Sequence, residues 1–193
     1  MTIERPAKEG MSSLTEQPNA AVPVVIGLAG WSGSGKTTLA LRLIGLLKAR
    51  GLKVATIKHA HHSFDVDVPG KDSHAHREAG ANEVLVASHR RIAHMVEDPL
   101  PSEDDRRALP DLLARLGPVD VVLVEGFKNG DHPKLEVYRA DVGKPRLHGT
   151  VPNIRALATN GDAAAGQAES IGLPIFDLDD VEPWLDQLLT LFR

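Results

Sequence analysis

The sequence predicts an α/β fold in which a mixed but mostly parallel sheet is flanked by helices. Short apolar runs rich in β-branched residues alternate with segments of helical periodicity, which is the pattern of strand–helix–strand units. A glycine-rich turn joins the first apolar run to the first helical segment. The 193 residues, with a 42% hydrophobic share, suit a single domain with one sizeable core.

The chain divides into a polar start and a globular remainder. Residues 1–23 carry three prolines, scattered charges and no continuous apolar run, so we expect a disordered tail rather than a secretory signal. The domain is expected over residues 24–193. No later run approaches the roughly 18 apolar residues of a membrane span, and the protein is therefore expected to be soluble.

Composition excludes several classes of function. The 22 basic and 26 acidic residues give a net charge of −4, which argues against a protein that holds nucleic acid mainly by neutralising phosphates. The absence of cysteine excludes disulfides, iron–sulfur clusters, thiolate zinc sites and cysteine nucleophiles. It also fits a cytoplasmic protein.

The elements follow in order from the periodicity. Residues 24–29 predict a buried strand, because the run is too short for a helix. Residues 37–50 place leucines along one face of a helix, which Gly51 ends at a position that favours positive φ. Further strands are predicted at 54–57, 83–87, 92–97, 119–124, 135–138 and 154–158, and further helices at 73–79, 102–116 and 181–192.

Two stretches predict antiparallel or edge strands. Residues 83–87 and 92–97 are separated by the four residues S-H-R-R, which favours a hairpin. Residues 134–139, K-L-E-V-Y-R, alternate polar and apolar side chains, as an exposed or edge strand would. Because such an edge can pair across a two-fold axis, this stretch is the predicted dimer interface.

The glycine-rich turn has the pattern of a phosphate-binding loop. Residues 30–37, G-W-S-G-S-G-K-T, match G-x-x-x-x-G-K-[ST] at every position, between a predicted strand and a predicted helix. Glycines let successive backbone N–H groups converge on a phosphate, and the helix N-terminus adds the positive end of its dipole. Lys36 would then bridge the β and γ phosphates, and the Thr37 hydroxyl would bind Mg²⁺. The alternative is a glycine-rich turn that binds nothing.

Two acidic residues follow later strands. Glu125 ends the apolar run V-V-L-V, where it would hold Mg²⁺ through water or orient the attacking water. The alternative for Glu125 is a strand-end carboxylate that faces solvent. Asp162 lies in T-N-G-D, which differs from the N/T-K-x-D element that reads guanine by having Asn160 in place of the lysine. An ordinary Asn-Gly turn is the alternative there.

A histidine-rich loop follows the second strand. Imidazole and carboxylate ligands for a transition metal or Mg²⁺ lie within nine residues, at His59, His61, His62, Asp65 and Asp67. The same segment also carries cations that suit an anionic substrate. These cations are Lys58, Lys71 and Arg77. A solvated loop with no special role is the third interpretation.

These motifs together resemble one family. The phosphate loop, I-K-H-x-H-H at 57–62, D-V-D-x-P-G-K-D-S at 65–73, A-G-A at 79–81 and V-E-G-F-K at 124–128 are similar to those of the molybdopterin-guanine dinucleotide biosynthesis protein B (MobB) family. The resemblance implies a P-loop nucleoside triphosphate hydrolase fold and a homodimeric GTP-binding protein with weak GTPase activity. It also implies a partner, the molybdenum cofactor guanylyltransferase, which attaches GMP to molybdopterin.

The candidate site combines the motifs with the resemblance. The resemblance implies that Asp65, Asp67 and Glu125 lie on the Mg²⁺ side with Thr37, and we assign catalytic roles to Lys36, Glu125 and Asp67. GTP would be held by Gly30, Ser32, Gly33, Ser34, Gly35, Lys36, Thr37 and Thr38, with Asp162 on the base. The phosphorylated pterin would be bound by His61, His62, Lys71 and Arg77.

Two other functions stay open. A small-molecule kinase would use the same loop to hold a phosphate acceptor, with Asp65 or Asp67 as general base. A metal-delivery GTPase would use the histidines as cargo ligands. Phosphate transfer to an added small molecule would favour the kinase, and tight zinc or nickel binding would favour metal delivery.

Overall fold

The computed structural model describes residues 22–60, 64–97, 105–160 and 171–193. The strands are β1 (Val24–Ala29), β2 (Val54–Lys58), β3 (Glu83–Ala87), β4 (Ile92–Val96), β5 (Val121–Glu125), β6 (Lys134–Val137), β7 (Ile154–Thr159) and β8 (Ile175–Asp177). The helices are α1 (Lys36–Ala49), α2 (Asp72–Glu78), α3 (Asp105–Ala114) and α4 (Leu185–Leu191), with 3₁₀ turns at Ala140–Val142 and Glu182–Trp184.

Six strands form one sheet in the order β2-β5-β1-β6-β7-β8, and their pairings are parallel. The predicted fold class, a mostly parallel sheet flanked by helices, is confirmed. β1 lies between β5 and β6, so the loop that follows β1 meets the carboxyl ends of both neighbours. That end of a parallel sheet is where open α/β folds bind their ligands.

Alternate residues of β5 contribute to two cores. Val121 and Leu123 pack with the buried leucines of α1 and α4 on one face of the sheet. Val122 and Val124 pack with α3 on the other face. A strand that is buried on both faces has to be apolar throughout, and this explains the uninterrupted run V-V-L-V.

Helix α1 begins and ends within one residue of its predicted bounds. Gly35 precedes it with a φ of 97°, and Gly51 follows it with a φ of 77°. Glycine adopts both conformations without the steric cost that a Cβ atom brings. Leu39, Leu43 and Leu47 lie on the buried face, which matches the predicted apolar stripe.

The predicted hairpin is confirmed, but it is a separate sheet. β3 and β4 pair antiparallel and form a two-stranded sheet of their own, while the described part of the main sheet contains parallel pairs. One face of β3 packs against α2 and buries Val84. The other face of the hairpin carries Leu85 of β3 and Ile92 of β4, which are 62% and 68% exposed.

β6 is not an edge strand, and the prediction that residues 134–139 form one is wrong. β6 pairs with β1 on one side and with β7 on the other, and all four of its residues are buried. The Lys134 side chain is enclosed, and its Nζ donates to the carbonyl oxygens of Gly130, His132 and Pro152. The ammonium group is therefore satisfied inside the protein rather than by water.

Glu136, the second charged residue of β6, is also buried. Its carboxylate accepts hydrogen bonds from the backbone N–H groups of Leu147, at 2.5 Å, and His148, at 2.9 Å. Loops that return over the strand thus supply the partners that a polar residue on an edge would find in solvent. Because both sides of β6 are already paired, this strand is not available to pair with a second copy.

The remaining differences concern one short strand and the last helix. The predicted helix at 181–192 begins as the 3₁₀ turn Glu182–Trp184 before α4. The sequence does not predict β8, because three residues are too few for a periodic signal, and β8 is a strand through its pairing with β7. Among the described residues, no helix is long and apolar enough to cross a membrane. Most of the predicted tail, residues 1–21, lies outside the described ranges.

Candidate functional site

The loop between β1 and α1 depends on its glycines. Gly33 and Gly35 have φ values of 81° and 97°, a region that residues with a side chain rarely adopt. A Cβ atom on Gly30 would lie 2.5 Å from the carbonyl oxygen of Val137 and 2.6 Å from Ser34 Oγ. The loop can therefore keep its curl only with glycine at these positions.

The loop offers polar groups that fit a phosphate. The Ser34 hydroxyl is buried and has no hydrogen-bond partner among the described residues. Lys36 Nζ turns back onto the loop, where it donates to the carbonyl oxygens of Gly30, at 3.0 Å, and Trp31, at 2.9 Å. Because an anionic oxygen is a stronger partner for an ammonium than a carbonyl is, a phosphate can replace these contacts.

Positive charge is concentrated beside the loop. Burial lowers the pKa of Lys36, the Glu125 carboxylate opposes this shift, and the ammonium groups of Lys128 and Lys58 add to it. Like charges held this close repel one another. An anion bound in the loop would relieve that repulsion and would favour the charged form of Lys36.

Thr37 and Glu125 meet where β5 ends beside the loop. The Thr37 hydroxyl lies 3.3 and 3.4 Å from the two Glu125 carboxylate oxygens, and Lys58 Nζ lies 3.8 Å from one of them. Parallel pairing places these residues together, since Lys58 and Glu125 are register partners in β2 and β5. A hydroxyl and a carboxylate are oxygen ligands of the kind that Mg²⁺ prefers, so this pair fits the predicted metal position.

His59 is packed against the end of β5. A Cβ atom on Gly126 would lie 2.6 Å from the His59 Cβ, and Gly126 has a φ of 95°. The His59 ring stacks on Phe127 with the ring centroids 4.7 Å apart. The glycine of the V-E-G-F-K motif therefore makes room for the histidine. Within the described residues, no three His, Cys, Asp or Glu side chains form a group that could hold a metal ion.

Arg77 organises the acidic loop that follows β2. Its guanidinium lies 2.8 Å from Asp65 Oδ1 and 3.5 Å from Asp67 Oδ2, and it also pairs with Glu97. The other Asp67 oxygen accepts a hydrogen bond from Ser73 Oγ at 2.9 Å. The predicted Mg²⁺-side acids and the predicted anion-binding arginine are thus bonded to each other.

These contacts shift the titration of all three groups. The hydrogen bond from Arg77 lowers the pKa of Asp65. Burial acts to raise the pKa of Asp67, but hydrogen bonds and the Arg77 charge outweigh it and lower that pKa, while the carboxylates raise the pKa of Arg77. Because the folded carboxyl pKa values lie below the ordinary 3.8, the pairs stabilise the fold above that pH and are lost as the pH falls through the folded values.

Several predicted site residues lie outside the described ranges. These residues are His61, His62 and Asp162. Two residues near these gaps in the chain are described. Lys71, which follows the histidines, is exposed just before α2, and Thr159, which precedes Asp162, is buried at the end of β7. The Thr159 hydroxyl has no hydrogen-bond partner among the described residues. The roles of the imidazoles and of the base-reading aspartate stay predictions.

Three basic residues that the sequence does not predict as site residues lie beside the phosphate loop, namely Lys128, Lys144 and Arg139. The Trp31 indole N–H donates to the carbonyl oxygen of Pro145 at 2.7 Å, and the ammonium groups of Lys128 and Lys144 lie 5.5 and 5.9 Å from the Trp31 ring centroid. Arg139 approaches Gly35 from the segment after β6. The basic residues at 139–146 were the available signal, but only the fold brings them to the loop.

Comparison with known proteins assigns the family. Residues 25–160 match the family model described as molybdopterin guanine dinucleotide synthesis protein B, MobB. The chain belongs to the MobB family. A MobB relative from Escherichia coli K12, named molybdopterin-guanine dinucleotide biosynthesis adapter protein, is 38% identical over 162 residues, which are 84% of this chain and 89% of that protein. The protein of the same name from Haemophilus influenzae is 43% identical over 148 residues, 74% and 77% of the two chains.

Solved MobB structures share the fold. The crystal structure of a MobB homolog from Bacillus stearothermophilus is 26% identical, with a TM-score of 0.59 over 88% of this chain and 97% of that one. Bacillus subtilis MobB is 24% identical, with a TM-score of 0.64 over 89% and 99% of the two chains. The family and fold implied by the sequence motifs are therefore confirmed.

Proposed function

We propose that this protein is a GTP-binding adapter in molybdopterin-guanine dinucleotide biosynthesis, with a weak, Mg²⁺-dependent GTPase activity. The observation that carries the proposal is the meeting of Lys36, Thr37 and Glu125 around a glycine loop at the carboxyl end of the parallel sheet. Family membership and the names of the two bacterial relatives support the pathway and the adapter role. We place the protein in the cytoplasm, beside the guanylyltransferase and its molybdopterin ligand.

Each residue of the loop has a distinct task in this proposal. The backbone N–H groups of the loop and the Ser34 hydroxyl bind the phosphates, and Lys36 neutralises charge on the β and γ phosphates. The Thr37 hydroxyl and the Glu125 carboxylate would hold Mg²⁺, which when bound neutralises the charge that develops between the β and γ phosphates. Glu125 also orients the attacking water. An adapter depends on whether GTP occupies the site more than on how fast GTP is hydrolysed. Slow hydrolysis therefore suits this role.

The pairing of Asp65 and Asp67 with Arg77 disfavours the kinase interpretation. A general base works best with a pKa near the operating pH, whereas the contacts of both carboxylates lower their pKa values. Arg77 would also have to leave these carboxylates before it could bind a phosphorylated pterin. We therefore assign the pterin side first to Lys71, which is exposed, and to the histidines at 61 and 62.

Nucleotide selectivity tests the proposal. Calorimetric titration of the purified chain with GTP, GDP and ATP, each with and without Mg²⁺, should give tighter binding of GTP than of ATP. Mg²⁺ should strengthen GTP binding, because the Thr37 hydroxyl lies 3.3 Å from the Glu125 carboxylate and both are oxygen ligands of the kind that Mg²⁺ prefers. Lack of nucleotide binding, or an ATP affinity equal to that for GTP, would overturn the assignment.

The base-reading role of Asp162 has its own test. Asp162→Asn should weaken GTP binding by about 10-fold or more and leave ATP binding nearly unchanged, because a carboxylate that accepts from guanine N1 and N2 is lost. ATP serves as the internal control, since it reports on the phosphate loop alone. An equal loss for both nucleotides would remove Asp162 from base recognition.

We also propose a homodimer, with its interface at the β3–β4 hairpin in place of β6. Leu85 lies on the same face of β3 as Ala87, and Ala87 is the register partner of Ile92, so Leu85 and Ile92 project from one exposed face of the hairpin. A two-stranded sheet is marginal on its own in water. A second copy of the same face would cover these side chains. Sedimentation velocity at micromolar concentration should give a dimer for the parent and a monomer for Leu85→Glu with Ile92→Glu.

A matched control separates this interface from a general effect of surface charge. Leu41 on α1 is 66% exposed, and Leu41→Glu should leave the dimer intact. A monomeric parent protein would refute the homodimer, and a dimer that survives the double substitution would move the interface elsewhere.

Metal delivery and pterin binding make opposite predictions for the histidine loop. Replacing His61 and His62 by alanine should leave zinc and nickel content near zero in both proteins, because the two adjacent side chains would, if extended, project to opposite sides and could not both face one ion. The same double variant should lower binding of the phosphorylated pterin or the activity of the guanylyltransferase mixture. Metal content is measured by elemental analysis. Stoichiometric metal in the parent, lost in the variant, would favour metal delivery.

A further inference from the structure

The segment after β6, residues 139–148, crosses beside the phosphate loop, and we call it the strap. β6 pairs with β1 up to the last residue of β1, so the strap starts next to the place where the phosphate loop begins. Its far end is held by buried Glu136, which accepts from the backbone N–H groups of Leu147 and His148. Between the two ends, the Pro145 carbonyl accepts from the Trp31 indole N–H. The strap is thus bonded to the phosphate loop through Trp31 and to β6 through Glu136.

Arg139, the first residue of the strap, contacts the phosphate loop. A Cβ atom on Gly35 would lie 3.3 Å from Arg139 Nε and 3.9 Å from its Nη2. The guanidinium is therefore in contact with the last glycine before α1. Gly35 is the N-cap of α1, and no side chain caps the N–H groups of that first turn. The arginine therefore lies beside the amino end of α1.

The position of Arg139 beside the start of α1 is favourable when an anion binds there. A helix N-terminus carries partial positive charge, so a guanidinium beside it is repelled unless negative charge lies between them. Arg139 is half-buried, and no carboxylate of the described residues forms an ion pair with it. The Ser34 hydroxyl of the phosphate loop is buried and has no hydrogen-bond partner among the same residues, so it also fits an added anion.

We propose that Arg139 is a phosphate ligand of the bound nucleotide, held beside Gly35 of the phosphate loop by the strap. The inference rests on the proposed nucleotide binding and adds a residue that the loop motif does not contain. Guanidinium matches phosphate geometry with two parallel hydrogen bonds, whereas lysine offers a point charge. Lysine at this position should therefore restore only part of the affinity.

The test compares Arg139→Gln and Arg139→Lys with the parent chain. Affinities for GTP, GDP and inorganic pyrophosphate are measured by calorimetry or by competition with a fluorescent guanine nucleotide. Arg139→Gln should weaken GTP and GDP by about 10- to 100-fold, the range expected for a charged hydrogen bond, and Arg139→Lys should fall between. Pyrophosphate should lose affinity by a similar factor, because it presents the phosphates without a base.

The matched control is Arg146→Gln, another strap arginine, whose guanidinium lies 5.1 Å from the Tyr138 ring centroid. It should leave affinity within about 2-fold of the parent, since rim charges contribute little. Unchanged GTP affinity in folded Arg139→Gln would overturn the inference, as would a loss for GTP without a loss for pyrophosphate. If the parent itself binds no nucleotide, it is the proposed function that fails.

Discussion

Lys36→Ala should lower GTP affinity by at least about 100-fold while the chain stays folded, because it removes the ammonium aimed at the β and γ phosphates. In the structure this ammonium contacts only two backbone carbonyls of the loop, those of Gly30 and Trp31, among the described residues. The sheet and the buried leucines of α1 do not depend on it. GTP titration measures the affinity, and thermal unfolding of the same preparation shows whether the chain is still folded.

Lys48→Ala is the control for this substitution. Lys48 lies in the last turn of the same helix, is exposed and is far from the phosphate loop. Its replacement by alanine therefore makes the same change in helix composition without touching the loop. GTP affinity of the control should equal that of the parent. A folded Lys36→Ala protein with parental GTP affinity would refute the phosphate-loop assignment, whatever the other variants show.

Lys134→Met should destabilise the protein by about 3 kcal/mol, which for a chain of this size lowers the unfolding midpoint by about 6–12 °C. Methionine keeps the length of the stem but leaves the carbonyl oxygens of Gly130, His132 and Pro152 without this donor inside the protein. Buried acceptors that lose their partner keep the full cost of having left water. Urea or thermal unfolding measures the change.

Lys48→Met is the matched control, because the same substitution at an exposed position removes a charge without uncovering buried carbonyls. It should change the unfolding free energy by less than about 0.5 kcal/mol. A loss below about 1 kcal/mol in Lys134→Met would mean that the carbonyls find other donors and that the buried ammonium is not a structural requirement.

Lys134 also explains why the alternating pattern of β6 misled the sequence interpretation. Polar residues at every second position indicate a half-exposed strand, since charged side chains are rarely buried. In β6 both charged residues are enclosed, because backbone groups of the 130–133 and 147–153 loops satisfy them. The 130–133 loop directly precedes β6, whereas the partners at Leu147 and Pro152 lie 11 and 18 residues along the chain from the side chains that they bond. Nothing within K-L-E-V-Y-R indicates that either loop folds over the strand.

The residues of the candidate site likewise divide into those that a local sequence pattern predicts and those that only the fold brings to the site. Gly30, Lys36 and Thr37 follow from one contiguous motif, whose spacing is set by the curl of the loop and the start of α1. Glu125 is predicted from an apolar run that ends in an acid, and the structure places its carboxylate beside Thr37, while its role stays a prediction. Arg139 was not predicted, because its place beside Gly35 depends on the order β5-β1-β6 in the sheet.

Residues close together in the chain were sufficient to specify the α/β class, the phosphate loop with α1, and the β3–β4 hairpin, since each arises from periodicity, glycine conformations or a short connection. Contacts between distant segments decided the central place of β6, the burial of Lys134 and Glu136, and the approach of the strap to the loop. The physical reason is that burial and charge compensation are properties of the packed sheet and the loops that close over it, which no local pattern contains.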